Sequence, residues 1–291
     1  MRSGMRLSME PFLPFGKTLR PAAAASMRGL AIGVLLAIGL SACGGGNPYV
    51  TRPAEPVADG QDVASVVRLA DSLRERGELT TAIAFYQRAA AVSNDARELI
   101  LLGRALSEVG VHERAAGAFR QALSRESDHP DALLGLGTAY LSLGQVDKSI
   151  QYLQQLVDQG DGADTLRYAA LGAALDIAGR HEQAVATYTA GLEAVPDDLD
   201  LKTNLALSYA FNDRHVEAIN LMIEVADALD ARRSHHRNLV LVLALAGQDR
   251  QAVATGLRLL GEKETQDVVA QAASARQLPT GADRARAIGL S

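Results

Sequence analysis

The stretch "LLGLGTAYLSLGQVDKSIQYLQQL", Leu133 to Leu156, holds two apolar runs separated by a glycine. Leu136 stands eight residues before Gly144, and the small residue Ser149 follows five residues after it. The apolar residues of each run recur at the spacing of one helix face. The stretch therefore predicts two helices joined by a tight turn.

The leucine and the turn residue recur six times along the chain. The pairs are Leu69/Gly77, Leu102/Gly110, Leu136/Gly144, Leu171/Gly179, Leu205/Asp213 and Leu239/Gly247. The turn positions are 33 to 35 residues apart, a period typical of stacked helical hairpins. A tight turn favours a residue at positive φ, which glycine adopts without steric cost. Asp213 is the expected exception, since Asn and Asp enter that region more readily than other residues.

Small residues recur on both sides of each turn, where two antiparallel helices must approach closely. The residues directly after the leucines are Ala70, Gly103, Gly137, Gly172, Ala206 and the larger Val240. The residues five positions after the turns are Ala82, Ala115, Ser149, Ala184, Ala218 and Ala252. Larger side chains lie nine residues after five of the turns: Tyr86, Phe119, Leu153, Tyr188 and Met222. A short hairpin cannot bury its apolar stripe alone, so each must stack on the next. Truncation should therefore weaken the stack progressively.

This order of residues resembles the tetratricopeptide repeat, and the resemblance covers roughly residues 62–266. "YAALGAALDIAGRHEQAVATYTAGLEAVP", from Tyr168 to Pro196, is among the closest matches. The chain departs from the family in lacking the early tryptophan, and Gly256 replaces the second aromatic residue of the last repeat. The resemblance implies an all-α, right-handed superhelical solenoid of about six helical hairpins.

The end of the chain is expected to cap this solenoid. Terminal repeats need a polar outer face, and Glu262 to Leu278 carries apolar residues at helical spacing. We expect a capping helix that ends before Pro279 and a mobile tail from Thr280, so residues 267–291 are assigned to cap and tail.

The N-terminal part carries an export signal. "LAIGVLLAIGLSAC", residues 30–43, is shorter than the about 20 apolar residues that span a bilayer, and it suits a signal-peptide core. Leu40-Ser41-Ala42-Cys43 resembles the bacterial lipobox, which implies that Cys43 is lipid-modified and that residues 1–42 are removed. Met27 is an alternative start, because Met27 to Cys43 makes a complete short signal. The alternative reading is an ordinary signal followed by a free cysteine.

The residues after the cysteine predict a membrane tether. Residues 44–60 contain four glycines and three prolines without periodicity, so we assign residues 43–61 to a lipidated flexible tether, about 20–25 Å from end to end. A lipobox cysteine normally carries more than one acyl chain, which anchors stably. By the sorting rule of this class, Gly44 indicates an outer-membrane lipoprotein facing the periplasm.

Charge disfavours two classes of partner. The whole chain carries a formal net charge of −5, and residues 43–291 carry 24 basic and 33 acidic side chains, or −9. Nucleic-acid binding needs clustered Lys and Arg, and so does an electrostatic grip on anionic lipids. We therefore expect no nucleic-acid partner, and a membrane anchor made by the lipid alone.

No motif in the chain predicts catalysis. The six histidines lack metal-ligand spacing, and no HExxH, CxxC, phosphate loop or GxSxG occurs. His112, His181 and His215 follow turns and are expected at the surface. The sequence therefore predicts a protein that is not an enzyme, with no cofactor, no metal and no small-molecule substrate.

A binding surface remains as the expected site. In the repeat family the first helix of each hairpin lines the concave face. Its expected exposed residues here are Arg68, Asp71, Arg104, Thr138, Asp176, Thr203, Asn204, Arg237 and Asn238. We predict peptide binding by Arg104, Asn204, Arg237 and Asn238, because relatives hold a peptide backbone or a terminal carboxylate through asparagines with basic neighbours. The alternative is that each asparagine only satisfies neighbouring carbonyls.

The last repeat indicates a narrower family. Residues 231–247, "ARRSHHRNLVLVLALAG", resemble the C-terminal repeat of the TadD-type lipoproteins of tight-adherence (Tad/Flp) pilus assembly. The resemblance implies a non-catalytic, lipid-anchored periplasmic adaptor whose partners are proteins of a pilus or secretion machine. A pilotin-like or general outer-membrane assembly lipoprotein, or an adaptor for cell-wall hydrolases, would share these features.

Overall fold

The computed structural model describes residues 62–160 and 164–289, which lie in one compact unit, Gln61–Ser291. The predicted signal peptide, Cys43 and the predicted tether, residues 43–61, lie outside the described residues, so they remain predictions.

 Within the described residues the structure is all α-helical, with fourteen helices and no strand.

The helices have the following bounds: α1 Val63–Glu75, α2 Leu79–Val92, α3 Ala96–Glu108, α4 His112–Arg125, α5 Pro130–Ser142, α6 Val146–Asp158, α7 Leu166–Ile177, α8 His181–Ala194, α9 Leu199–Phe211, α10 His215–Asp227, α11 Arg233–Leu245, α12 Asp249–Leu259, α13 Glu262–Arg276 and α14 Gly281–Ile288. Helices α1 to α12 form six consecutive hairpins, as the sequence predicts. None of the described helices is long and apolar enough to span a bilayer.

The turns of the hairpins have the predicted backbone conformation. Five of the six turn residues are glycines with φ between 69° and 78°, and Asp213 is the sixth, with φ of 57°. Asp213 is the single non-glycine residue with positive φ among the described residues. Each turn therefore reverses the chain through one left-handed residue.

The small residues inside the hairpins allow large side chains to lie directly on a helix backbone. A Cβ added at Gly103 would stand 2.7 Å from the Phe119 ring, and one added at Gly137 would stand 2.5 Å from Leu153. A Cβ at Gly172 would overlap the Tyr188 ring. Because such contacts are shorter than van der Waals distance, these positions require glycine unless the partner moves. The predicted pairing of small and large positions across the turn is confirmed.

The odd-numbered helices of the stacked hairpins form one layer and the even-numbered helices form another, and the odd-numbered layer is the more closely packed. From α3 onward each odd-numbered helix packs on the next odd-numbered helix, whereas even-numbered helices contact mainly their neighbours in sequence. The odd-numbered helices therefore line the inner face of the superhelix. Helix α13 continues this layer, since Arg233 of α11 pairs with Glu264 near the start of α13 at 2.6 Å.

The C-terminal end differs from the prediction in one respect. The capping helix is present as α13 and ends at Arg276, before Pro279. The residues expected as a mobile tail instead form α14, which begins at the N-cap Thr280 and packs on α7, α9 and α13. The expectation of a mobile tail from Thr280 was wrong because α14 covers apolar inner-face residues that water would otherwise meet.

Candidate functional site

The inner face of the first three repeats is polar and carries ion pairs that join neighbouring repeats. Arg74 Nη1 lies 2.7 Å from Glu108 Oε1, and Arg104 Nη2 lies 2.8 Å from Asp131 Oδ1. All four side chains are more than a third exposed, so each pair contributes only about 0–1 kcal/mol to stability. These groups can rearrange to meet a polar ligand at small cost.

The Asp71 carboxylate on this face is held in place by a buried tyrosine. The buried Tyr86 hydroxyl donates a hydrogen bond to Asp71 Oδ1 at 2.6 Å. Burial of the hydroxyl and the adjacent Asp71 carboxylate both raise the pKa of Tyr86. Tyr86 therefore stays a neutral donor and fixes the orientation of the Asp71 carboxylate.

The inner face of the last three repeats is apolar and is covered. Five inner-face residues there are buried in one apolar cluster: Ile177, Leu207, Phe211, Leu241 and Leu245. Ala285 of α14 belongs to the same cluster with no exposed surface, and Ile288 packs against it. The two halves of the inner face therefore differ in chemistry, and α14 lies on the apolar half.

Two arginines of α14 bind the C-terminal ends of inner helices. Arg284 Nη2 donates to the Phe211 carbonyl at 3.1 Å, and its Nη1 lies 3.0 Å from Asp213 Oδ1. Arg286 Nη2 donates to the Ile177 carbonyl at 2.7 Å. Ile177 and Phe211 are the last residues of α7 and α9, where carbonyls lack intrahelical partners and the helix dipole attracts cations.

The first residue of α14 must be small. A Cβ at Gly281 would overlap both the His181 Nε2 atom and the Phe211 carbonyl oxygen. The backbone of α14 can approach α7 and α9 this closely only because position 281 has no side chain.

Below this contact lies a buried hydrogen-bond network centred on Asp176. His181 Nδ1 and Ser208 Oγ both lie 2.8 Å from Asp176 Oδ1, and the Tyr188 hydroxyl donates to Oδ2 at 3.2 Å. Burial raises the pKa of Asp176, and these hydrogen bonds oppose the rise. Burial and the nearby carboxylate raise the pKa of Tyr188. The network joins the fourth repeat to the fifth.

The network does not have the arrangement of a nucleophilic relay. In a serine–histidine–carboxylate relay the histidine stands between the other two groups. Here Ser208 and His181 both bond the same carboxylate oxygen, and Ser208 has no exposed surface. The cluster therefore connects helices and presents no activated hydroxyl to a substrate.

Three residues expected at the surface are buried. Asp176 and Thr203 were expected to be exposed on the inner face, and the exposed fractions are 0% and 4%. His181 was expected to be exposed after its turn and is 9% exposed. Asp176 and His181 are buried because α14 and the helix ends of α7 and α9 close over them, and Thr203 turns inward to donate to the Leu199 carbonyl at 2.7 Å.

The four predicted peptide-binding residues do not form one cluster. Arg104 pairs with Asp131, and Arg237 donates to Gln271 Oε1 of α13 at 2.8 Å. Asn204 and Asn238 are half-buried. Within the described residues no hydrogen bond or ion pair joins these four side chains to one another, and their role in binding stays a prediction.

Metal and small-molecule sites are not evident in the part of the chain that the structure describes. No group of three or more His, Cys, Asp and Glu residues there is arranged to hold a metal ion. An open hollow of about 330 Å³ is lined by carboxylates with Arg232 and His235. Arg232 and His235 both pair with Asp200 in it.

Sequence reasoning missed the residues of α14, although a signal was present. Thr280 and Asp283 have the spacing of an N-cap, and Ala282, Ala285 and Ile288 recur at intervals of three. A second signal was the apolar character of inner-face positions such as Leu207 and Leu241, which an open groove would expose to water.

Comparisons with known proteins agree with this architecture. A family model for the tetratricopeptide repeat matches residues 100–164. A tetratricopeptide repeat protein from Parabacteroides merdae ATCC 43184 has a similar structure, with a TM-score of 0.63 and 14% identity over 80% of this chain and 94% of the other. No curated protein sequence matches the chain.

Two further solved structures are similar. PilW, a widely conserved type IV pilus biogenesis factor, gives a TM-score of 0.61 at 16% identity over 72% of this chain and 99% of its own. Pseudomonas aeruginosa pilF gives a TM-score of 0.57 at 15% identity, over 72% of this chain and 97% of its own. At these identities the likeness shows the fold alone. With the repeat spacing, the six hairpins and the matched family model, the described residues have the fold of an all-α tetratricopeptide-repeat superhelix.

Proposed function

We propose that the protein is a lipid-anchored periplasmic adaptor that supports Tad (Flp) pilus assembly by binding other proteins of the machine. Tetratricopeptide repeats typically mediate protein–protein interactions. The observation that carries the proposal is the division of the inner face, whose first three repeats offer an uncovered polar surface to a partner.

The location follows from the sequence. The lipobox-like residues Leu40 to Cys43 and the glycine- and proline-containing tether support a solenoid that is held near a membrane without inserting into it. Gly44 supports the outer membrane. The anchor is the lipid on Cys43, because the negative charge of the chain opposes adsorption to anionic lipids.

The assignment to a pilus machine has two supports. Residues 231–247 resemble the ending of TadD-type lipoproteins. The solved structures similar to this chain include a protein described as a type IV pilus biogenesis factor. The second candidate function is a pilotin-like or general outer-membrane assembly lipoprotein, which the same anchor and fold would serve, and an adaptor for cell-wall hydrolases is a third.

The anchor and the function are tested together in the host bacterium. Cys43→Ser should abolish acyl labelling, release the solenoid from membranes or leave uncleaved precursor, and reduce surface piliation. Ser41→Ala is the matched control, since it keeps the cysteine and should leave both readouts unchanged. Acyl labelling that persists in Cys43→Ser would contradict the anchor.

The partner is tested by cross-linking followed by a pull-down of the native lipoprotein. Recovery of secretin, prepilin or secretion ATPase components supports the pilus role. Recovery of peptidoglycan hydrolases or general assembly factors instead would overturn it in favour of an alternative. Arg104→Ala should reduce this recovery without changing helicity, because Arg104 lies on the uncovered polar inner face.

A further inference from the structure

Helix α14 lies on its own solenoid in the way that a helical ligand lies on a receptor. The receptor surface is defined by Ile177, Gly179, His181, Phe211 and Asp213, and we call it the α14 groove. We propose that the α14 groove is a docking site for a basic helix of a partner protein, and that α14 occupies the groove until such a helix replaces it.

The α14 groove has the chemistry of a site for a basic helix. The groove contains the carbonyls of the last residues of α7 and α9 and the carboxylate of Asp213. Each of these three groups is bound by an arginine of α14. Helix C-termini and carboxylates attract cations. The net negative charge of the chain adds to this attraction for a basic helix.

The α14 groove also restricts the shape of the helix that it can bind. Position 281 accepts only glycine, because a Cβ there would overlap His181 Nε2 and the Phe211 carbonyl. Gly179 of the groove lies beside Ala282, since a Cβ added to Gly179 would stand 3.4 Å from the Ala282 Cβ. Ala285, one turn later, is fully buried. The ligand is therefore a helix that begins with glycine, has a small residue one turn later and carries arginines at the spacing of Arg284 and Arg286.

Helix α14 is held in the groove by local contacts. Helix α14 has eight residues, and a helix of this length is not stable in water without tertiary contacts. The Arg286 side chain is half exposed, and the end of α14 is tied to α13 by a bond of 3.3 Å from Gln271 Nε2 to the Ile288 carbonyl. Residues 277–280 connect α14 to α13, so α14 can leave the groove without unfolding α13.

An empty α14 groove would be energetically unfavourable. Without α14, the apolar cluster around Ile177 and Phe211 would face water, and buried apolar surface is unfavourable to expose. A second helix of the same chemistry removes this cost, whereas a polar extended peptide does not. This inference rests on the proposed function only in that the solenoid binds protein, and it uses no pilus component.

The test uses the full chain and a labelled synthetic peptide of residues 278–291. In Gly281→Leu the added side chain cannot fit against His181, so α14 should leave the groove. The variant should bind the peptide at least tenfold more tightly than the unsubstituted protein. Ala287→Leu is the matched control, because Ala287 is exposed on α14, and it should bind no better than the unsubstituted protein.

A second variant guards against misfolding of the first. Arg284→Ala combined with Arg286→Ala removes the polar contacts without adding bulk, and it should also bind the peptide more tightly than the unsubstituted protein. A peptide carrying the same two substitutions should bind Gly281→Leu at least tenfold more weakly. Equal peptide binding by the unsubstituted protein and both variants would overturn the proposal.

The size of the protein in solution decides between two occupants of the groove. A monomer at micromolar concentration supports a partner helix as the ligand. A concentration-dependent dimer of the unsubstituted protein that Arg284→Ala with Arg286→Ala abolishes would make a second copy the occupant and overturn the assignment to a partner. Because no pilus protein is present, failure here leaves the results with Cys43→Ser untouched.

Discussion

Arg237 Nη2 donates a hydrogen bond to Gln271 Oε1 at 2.8 Å, and the two residues are 34 positions apart. This separation is one repeat, so α13 occupies the place of a seventh inner helix beside α11. Gln271 in turn donates to the Ile288 carbonyl. Arg237, which the sequence suggested as a peptide ligand, therefore connects the last full repeat to the C-terminal cap.

Arg237→Ala should lower the free energy of unfolding by about 0.5–1.5 kcal/mol, since it removes one partly buried hydrogen bond. Asn238→Ala, one position along the same helix, should change it by less than about 0.5 kcal/mol. Urea unfolding followed by circular dichroism measures both. Unchanged stability of Arg237→Ala together with weaker partner capture would restore the peptide-binding role.

Gly172→Leu should destabilise the fourth repeat, because any side chain at this position meets the Tyr188 ring. Overpacking typically costs about 1–3 kcal/mol, and Ala184→Leu, on the facing helix, should behave alike. The control is Gly117→Ala, where an added Cβ meets nothing within 4 Å. That change should raise stability by about 0.4–1 kcal/mol. Identical melting temperatures for all three variants would contradict the packing described.

Gly144→Ala should be destabilising through backbone strain alone. Gly144 has φ of 69°, and a Cβ there has no neighbour within 4 Å, so about 1–2 kcal/mol of left-handed strain is the whole expected loss. Gly144→Asn should lose less, since asparagine tolerates this conformation and Asp213 already does so in the fifth turn. Thermal melts of the two variants make the comparison, and a larger loss for Asn than for Ala would be inconsistent with it.

Asp176 should make stability depend on pH. Burial raises its pKa in the folded state, so the folded protein binds more protons than the unfolded chain between the unfolded and folded pKa values. The stabilisation that the protonated Asp176 provides is fully present below the unfolded pKa, and it is lost as pH rises through the folded pKa. His181 and Tyr188 are the titratable groups that face the carboxyl.

The measurement is the free energy of unfolding of the unsubstituted protein and of Asp176→Asn from pH 4 to pH 7. The asparagine can keep an oxygen toward Ser208 and His181 but does not titrate. The free energy of unfolding of Asp176→Asn, relative to that of the unsubstituted protein, should increase as pH rises. Movement in the opposite direction would mean that the hydrogen bonds from His181 and Ser208 outweigh burial.

The hairpins could be predicted from the sequence because their causes are local. A turn residue at positive φ, glycine in five of the six turns, and a small residue facing a larger one across the turn, such as Gly172 opposite Tyr188, recur along the sequence. The covering of Asp176 could not be read in this way. It depends on α14, which lies more than 100 residues further along the chain, has no counterpart in the repeats and follows a proline that normally marks the end of a helix.

The hydrogen bond from Arg286 to the Ile177 carbonyl spans 109 residues, in a stack where most other contacts join neighbouring repeats. It closes repeats four to six into a loop, so α7 cannot open fully without releasing α14. Cooperative unfolding is then expected to be unequal along the chain. Amide hydrogens in the middle of α7, α9 and α11 should exchange through one shared opening, whereas those of α1 to α4 should exchange repeat by repeat, beginning with α1.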